Sequence, residues 1–222
     1  MTRLKKTGPS RRRLRAQTLH PWINTLAATA ALVISCLTYS ALPPDEPDTE
    51  VALPRVIKLR WREDYTSLFI QPTVSTRFDT KNVEMVNDLE LSLRPDNAFA
   101  SPHVAPRFNW NQTVEWLYRE DKESIWWEFL SDPGPFMVTQ EEPRQPAVEF
   151  TADEWRPAPG RYIGTLTVHR ASHRDPLGKE FCLVLTQGDI TDLQNRKEKT
   201  APDEFRSDTP EAAKDGCYHW YE

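Results

Sequence analysis

The chain has 222 residues and a formal net charge of −5, from 28 Lys and Arg against 33 Asp and Glu. The first 21 positions hold seven of the basic residues and no acidic one, so the rest of the chain carries 21 bases against 33 acids. That remainder therefore has a net charge of −12, which repels nucleic acid and anionic lipid. Composition thus excludes nucleic-acid binding by the larger part of the chain.

An uncharged run at residues 22–42 separates this basic N-terminus from an acidic, Pro-rich segment. As a helix, 21 residues would extend roughly 31 Å, which matches a hydrocarbon core of about 30 Å. The run predicts a transmembrane signal-anchor helix that contacts membrane lipid. Under the positive-inside rule, residues 1–21 form a cytoplasmic tail. Residues 43–52 are then a linker to a domain on the extracytoplasmic side.

Three other interpretations of the run stay open. A basic segment followed by an apolar stretch is also typical of a cleaved signal peptide. The sequence Val33-Ile34-Ser35-Cys36 resembles the bacterial lipobox, which would make Cys36 the acylated residue of a lipoprotein. The run could also be a buried helix of a cytosolic protein, although it has no charged residue on any face.

Residues 53–190 are predicted to be all-β, because short runs of β-branched and aromatic residues recur between Pro, Asn, Asp and Gly. Several runs alternate apolar and polar residues with the period of two that a half-buried strand requires. The predicted strands include residues 56–61, 67–70, 160–170 and 181–185, and strands around Leu91, Trp116, Trp127 and Phe150. Eight or nine such strands fit a single β-sandwich domain.

One tetrapeptide suggests the kind of sandwich. Pro159-Gly160-Arg161-Tyr162 resembles the start of the penultimate strand of immunoglobulin-like sandwiches, where a Tyr stabilises the corner. The resemblance implies an immunoglobulin-like sandwich as the outer domain. No specific family is recognised, and no internal repeat is present.

Two of the three cysteines lie beyond the uncharged run, at Cys182 and Cys217. An oxidising compartment outside the cytoplasm would favour a disulfide between them. The segment 191–222 is polar and lacks hydrophobic periodicity, so we expect it to be an extension that Cys217 ties back to the domain.

The candidate binding residues are tryptophans. Trp155, together with either Trp126 or Trp127, could stack on sugar rings, which predicts a glycan-binding platform. In a strand Trp126 and Trp127 must point to opposite faces, so one of them is expected in the core. His169 and His173 are interpreted as loop histidines, and no metal site or cofactor is predicted.

The sequence contains no motif of a hydrolase, a zinc protease or a phosphate-binding loop, so no catalytic residue is predicted. The functional prediction is therefore a non-enzymatic interaction or structural module at the membrane surface. Its partner would be another protein or a surface glycan. The alternatives are a carbohydrate-binding or wall-associated sandwich, and a lipoprotein acylated at Cys36.

Overall fold

The fold is given by a computed structural model that describes residues 13–40, 48–77, 83–96, 105–120, 124–171, 175–195 and 201–221. The chain divides into two compact units, Met1–Pro44 and Asp45–Glu222. The first unit contains one helix and the second contains the sheets.

The helix of the first unit, α1, extends over Arg13–Ser40. Hydroxyl groups of Thr29, Ser35 and Thr38 donate to carbonyl oxygens four residues earlier, at 2.9, 2.8 and 2.7 Å. The predicted segment 22–42 is thus largely helical, but within the described residues no helix is both long and apolar enough to cross a membrane. The structure therefore gives no support to the transmembrane prediction.

The second unit is mostly β-strand. Its strands are β1 (Thr49–Ala52), β2 (Val56–Trp61), β3 (Tyr65–Ile70), β4 (Thr73–Thr76), β5 (Glu84–Pro95), β6 (Arg107–Arg119), β7 (Ser124–Ser131), β8 (Phe136–Val138), β9 (Ala147–Asp153), β10 (Gly160–Arg170), β11 (Leu177–Leu185), β12 (Asp203–Arg206) and β13 (His219–Tyr221). Two short helices, α2 (Gln187–Asn195) and α3 (Ala212–Asp215), follow β11 and β12.

Strand β6 divides the strands into two sheets that meet along it. Its first two residues pair with β5, and the residues from Asn109 to Val114 pair with β9. Sheet 1 has the order β13-β12-β2-β3-β9-β6-β7, and sheet 2 has the order β11-β10-β5, with β8 also on β5. Strands β1 and β4 form a separate two-stranded sheet.

One core joins the two sheets into a sandwich-like fold. Leu59, Leu68 and Phe150 of sheet 1 and Leu91 and Leu166 of sheet 2 are buried in the same cluster. Every second residue of these strands faces that core, which is the alternation expected from the sequence. The prediction of an all-β sandwich is confirmed at this level.

The corner before β10 is held by Tyr162. Its hydroxyl donates to the carbonyl oxygen of Ala158 at 2.8 Å and lies 3.3 Å from the N–H of the same residue. Burial raises the pKa of the Tyr162 hydroxyl, although its hydrogen bond to Ala158 acts in the opposite direction. The side chain is therefore anchored by its ring in the core and by its hydroxyl at the corner.

Two residues further along β10, Gly164 lies directly opposite Phe181 of β11. The Phe181 ring covers the glycine so closely that a Cβ at position 164 would lie 2.2 Å from its Cζ. The ring is 8% exposed and meets Tyr218 edge to face, with ring centroids 5.9 Å apart. Phe181 can therefore lie over β10 because Gly164 has no side chain.

The C-terminal segment, residues 201–221, pairs with strands of both sheets. Strand β12 pairs with β2 at the edge of sheet 1, and Phe205 is fully buried there. Tyr218 forms a parallel bridge to Leu183 of β11, in sheet 2. Cys217 forms the predicted disulfide with Cys182, and both cysteines are buried.

Two segments differ from their expected form. Residues 49–52, predicted as linker, form β1 and pair with β4. The predicted boundary between residues 190 and 191 falls inside α2, which begins with a capping box. There the N–H of Thr186 donates to Asp189 Oδ2 at 2.7 Å, and the N–H of Asp189 donates to Thr186 Oγ1 at 3.2 Å.

Candidate functional site

The three tryptophans predicted as a stacking platform lie in two separate environments. Trp155 follows β9 and packs against Phe108 and Tyr162, with ring centroids 5.4 and 5.9 Å apart. The ring is partly buried and packs against the domain core. Trp126 and Trp127 lie on β7, and Trp127 packs against Phe69 in a different buried cluster from the one that Trp155 contacts.

The hairpin of β6 and β7 covers the outer face of sheet 1. Trp116 and Trp127 are directly opposite each other in the hairpin. Both contact Phe69 of β3, with ring centroids 5.5 and 5.4 Å apart. Because β9 lies between β6 and β3 in the sheet, these contacts require the hairpin to fold over the outer face.

The backbone of β6 explains how the hairpin leaves the sheet. The pairing of β6 shifts register between Trp110 and Gln112 on its β9 side, and between Thr113 and Val114 on its β7 side. Such bulges bend a strand and increase its twist. Beyond Val114 the strand pairs with β7 alone. The apolar face of the hairpin then falls on Phe69, which is only 2% exposed.

A row of basic side chains lies on that same outer face. Lys58, Arg60 and Arg62 alternate along and just beyond β2 with the core residues of the strand. The Lys58 ammonium lies 4.7 Å from the centre of the Trp116 ring and forms an ion pair with Glu204. The Arg60 guanidinium lies 5.4 Å from the centre of the Trp127 ring. Such cation–π contacts attach the hairpin to the sheet.

Sequence analysis missed these basic residues, although a signal was present. The run Val56-Ile57-Lys58-Leu59-Arg60-Trp61 places its charges at a spacing of two within a strand, so they must share one face. A row of charges on the face of a buried strand needs partners, and aromatic rings and carboxylates can both supply them. The tryptophans of β6 and β7 were instead interpreted as a glycan platform.

The rim of the hairpin exposes large apolar side chains. Tyr118, Ile125, Phe129 and Leu130 are 65, 46, 58 and 57% exposed. Within the part of the chain that the structure describes, β7 pairs only with β6, so its outer edge has no strand beside it. We call this surface the hairpin rim. Exposed edge strands and apolar patches are the features through which sheets pair with other chains.

A second surface feature is an open cleft at one end of the domain. Its volume is about 660 Å³, and the lining residues are Trp61, Glu63, Asp64, Arg156 and Gln194. They come from the end of β2, the turn before β3, the loop after β9 and helix α2. Glu154, close to Arg156 in the chain, has a left-handed φ of 57° and donates its N–H to the Asp64 carbonyl oxygen at 3.0 Å. That hydrogen bond fixes the loop against the turn.

The remaining predicted site residues are placed as follows. Cys36 is exposed on α1 and carries a free thiol. His169 contacts Glu90 at 3.3 Å, and His173 lies outside the described residues. Among the residues that the structure describes, no group of three His, Cys, Asp or Glu side chains could hold a metal ion.

Titratable groups near the disulfide are fixed by local contacts. The pKa of Asp215 is lowered first by the N–H of Cys217, which donates to its Oδ1 at 3.0 Å, and then by His219. Burial raises the pKa of Tyr218 to about 12. These shifts have structural causes and do not mark a reactive centre.

No protein-family model matches the sequence, and the comparison with curated proteins found no match. The class of protein is therefore defined by its fold and by the surfaces described above. It is an all-β, sandwich-like domain with an aromatic hairpin folded over one sheet, and it follows a helical N-terminal unit.

Proposed function

We propose that this protein is a non-enzymatic, extracytoplasmic interaction module that binds another protein through the hairpin rim. The observation that carries the proposal is the exposure of Ile125, Phe129 and Leu130 along the edge strand β7, with Tyr118 exposed beside them on β6. Aromatic residues such as tyrosine and phenylalanine are enriched in protein interfaces, and a few such anchors supply most of the binding energy. The open edge adds unpaired backbone groups that a partner strand could use.

The location is supported by the disulfide and by the distribution of charge. Disulfides persist in oxidising compartments, and Cys182–Cys217 closes a separation of 35 residues. The basic N-terminus before an uncharged run is typical of a segment that directs export and keeps its own end inside. In this proposal the N-terminal segment holds the protein at the membrane, either through residues 22–42 or through a lipid on Cys36.

An immunoglobulin-like topology is the finer proposal for the domain. The order β2-β3-β9-β6 in sheet 1 corresponds to strands A-B-E-D of such sandwiches, and β5-β10-β11 in sheet 2 corresponds to C-F-G. Tyr162 supports it, because its hydroxyl bonds back to the backbone at the start of the strand equivalent to F. The disulfide departs from the antibody pattern, since it ties β11 to the C-terminal segment.

Photocrosslinking tests the contact surface. A benzophenone amino acid is introduced at Phe129 of the full-length protein in its native host, with Lys179 on β11 as an exposed control position in sheet 2. The proposal expects a defined adduct from position 129 only, and loss of that adduct when Leu130 is changed to Ser. Equal crosslinking at both positions, or none at position 129 in folded protein, contradicts the proposal.

Mass spectrometry of the protein isolated from its host tests the location. An oxidised Cys182–Cys217 pair with an intact N-terminus supports a retained segment, and a chain that starts at acylated Cys36 supports the lipoprotein form. Three free thiols would contradict the extracytoplasmic location.

Glycan binding is the second candidate, and the cleft is the observation that favours it. The Trp61 indole is buried, and the two carboxylates, the amide and the guanidinium that line the cleft with it offer hydrogen-bonding groups that a sugar needs. Retention on insoluble polysaccharide that is lost with Asp64→Asn and Arg156→Gln would support it. If Trp126→Ala abolished retention instead, the result would favour the β7 platform predicted from the sequence.

A further inference from the structure

Arg60 is a buried cation without a carboxylate partner. Its residue is only 9% exposed, and no Asp or Glu of the described chain forms an ion pair with it. Among the described residues, the ring of Trp127 is the contact made by its charge. A cation taken out of water is costly unless it is paired and hydrogen-bonded, so a buried guanidinium in this position calls for an acceptor.

Two neighbouring side chains also have a buried polar atom without a hydrogen-bond partner among the described residues. Ser67 is directly opposite Arg60 across β2 and β3, and it is fully buried. The Arg60 Nε, the Ser67 Oγ and the Trp127 Nε1 atoms are all buried and have no hydrogen-bond partner among the described residues. An indole N–H and a guanidinium N–H only donate, and a hydroxyl can donate as well. Two groups that only donate and one hydroxyl thus lie buried on this face without a hydrogen-bond partner among the described residues.

The other charged groups on this face already have partners. Lys58 is paired with Glu204. Glu149, which is also buried, accepts from the side-chain amides of Gln112 and Asn111 at 2.5 and 3.4 Å. The Nε of Arg62, at the next outward position after β2, is buried and without a hydrogen-bond partner. Lys58 and Glu149 thus have partners on this face, whereas the buried Nε atoms of Arg60 and Arg62 have no hydrogen-bond acceptor among the described residues.

We propose that Arg60, Ser67 and Trp127 form a binding site for an oxyanion, either a carboxylate or a phosphate group. An oxygen of the anion accepts from the Arg60 Nε, the Ser67 hydroxyl and the Trp127 indole N–H. The charge of the anion neutralises the guanidinium, and Arg62 lies beside the group on the same row. This site is independent of the proposed contact at the hairpin rim, because the rim residues face solvent.

The test uses the full-length protein in a mild detergent, with sodium phosphate and sodium acetate as separate probes. Melting temperature and the indole N–H resonance of Trp127 are followed at constant ionic strength, maintained with chloride. The resonance is assigned from its absence in Trp127→Phe. A ligand that binds only the folded state raises the melting temperature in proportion to its occupancy.

We expect one or both anions to move the Trp127 resonance saturably and to raise the melting temperature. Arg60→Met should weaken that binding at least about tenfold, as loss of a charge-assisted hydrogen bond does. Ser67→Ala, a smaller change, should weaken it less and leave the fold intact. Arg94→Met is the matched control, because Arg94 is an exposed arginine on sheet 2, and it should bind as the wild type does.

The probes separate the sources of the anion. A response to phosphate alone indicates a phosphate-bearing ligand, and a response to acetate alone indicates a carboxylate. If neither anion moves the resonance beyond chloride, or if the response survives Arg60→Met, the site is wrong and the three groups are satisfied by water.

Discussion

The contact between Gly164 and Phe181 gives the sharpest test of the packing. A Cβ at position 164 would lie 2.2, 2.4 and 2.6 Å from three atoms of the Phe181 ring. Real Cβ atoms do not approach other atoms so closely, so Gly164→Ala must displace the ring. The ring is buried and packs edge to face on Tyr218, and therefore has little room to move without losing that contact.

The expected cost follows from two opposing effects. Forcing extra volume into a packed core destabilises by about 1–3 kcal/mol. Replacing Gly by Ala in a strand returns about 0.5–1 kcal/mol through the lower entropy of the unfolded chain. Because three ring atoms would clash at once, the cost lies in the upper part of that range, at about 2–3 kcal/mol. The net loss is then about 1–2.5 kcal/mol, which lowers the melting temperature of a domain of this size by about 2–10 °C.

Gly178→Ala is the matched control for this change. Gly178 lies on the adjacent strand β11, and a Cβ there would meet only Thr165 Cγ2, at an ordinary 3.9 Å. Thermal and urea unfolding of both variants should be followed by near-ultraviolet circular dichroism, with the disulfide intact. The control should be as stable as the wild type or more so. Phe181→Leu should recover part of the loss in the Gly164→Ala background, as a coupled pair would.

Equal stability of Gly164→Ala and Gly178→Ala would refute this reasoning. It would mean that Phe181 moves aside without cost, and that the ring does not depend on an empty position opposite it. An additive result for the double variant would lead to the same conclusion.

Three further predictions concern the disulfide, a buried hydroxyl and the hairpin. Replacing Cys182 and Cys217 by Ser should lower the free energy of unfolding by about 4 kcal/mol, because the chain-entropy model gives that value for a separation of 35 residues. Urea unfolding of the double variant checks this, and a loss below about 1 kcal/mol would contradict it. Tyr218 should make stability fall as pH rises from about 10 to about 12, because its folded pKa is raised to about 12 from an ordinary 10.0 and the unfolded chain loses the proton first. The fall amounts to about 2–3 kcal/mol, and Tyr218→Phe should unfold with a flatter pH dependence over that range. Phe69→Ala should cost about 3–5 kcal/mol because the ring is buried beneath two tryptophans, whereas Phe129→Ala on the exposed rim should cost less than about 0.5 kcal/mol. Comparable losses in their unfolding curves would show that the hairpin does not cover the sheet as described.

The strands of the domain could be predicted wherever burial is one-sided. The strand at 56–61 matches the structure residue for residue, as does the strand at 160–170. In β10 the residues Tyr162, Leu166 and Val168 are buried on one face, and their neighbours are less so. The alternation of apolar and polar residues is enough to predict such strands, because the apolar residues of each strand lie on the face that meets the core.

Strand β12 could not be predicted in this way. Its four residues, Asp203–Arg206, carry three charges and only one apolar side chain, Phe205. It is a strand because β2 presents an unpaired edge, and because the disulfide holds the segment nearby. Helix α2 did carry a readable signal, since Thr186 and Asp189 have the spacing of a capping box.

The hairpin's position was beyond sequence reasoning for a different reason. The pairing of Trp116 with Trp127 follows from the alternation of two neighbouring strands. Whether their apolar face meets solvent or folds over Lys58 and Arg60 depends on two bulges in β6, and a bulge leaves little trace in the sequence. The basic row could have been recognised, but its cover could not.

The C-terminal segment lies at the outer edges of two sheets, β2 on one side and β11 on the other. A reductant that opened the disulfide would free the segment to leave both edges together. Bare strand edges readily accept a strand from another molecule, and the nearest suitable strand would be the same segment of a second copy. Exchange of these segments between copies would yield swapped dimers or longer chains. The disulfide between Cys182 and Cys217 thus keeps the C-terminal segment paired within its own molecule.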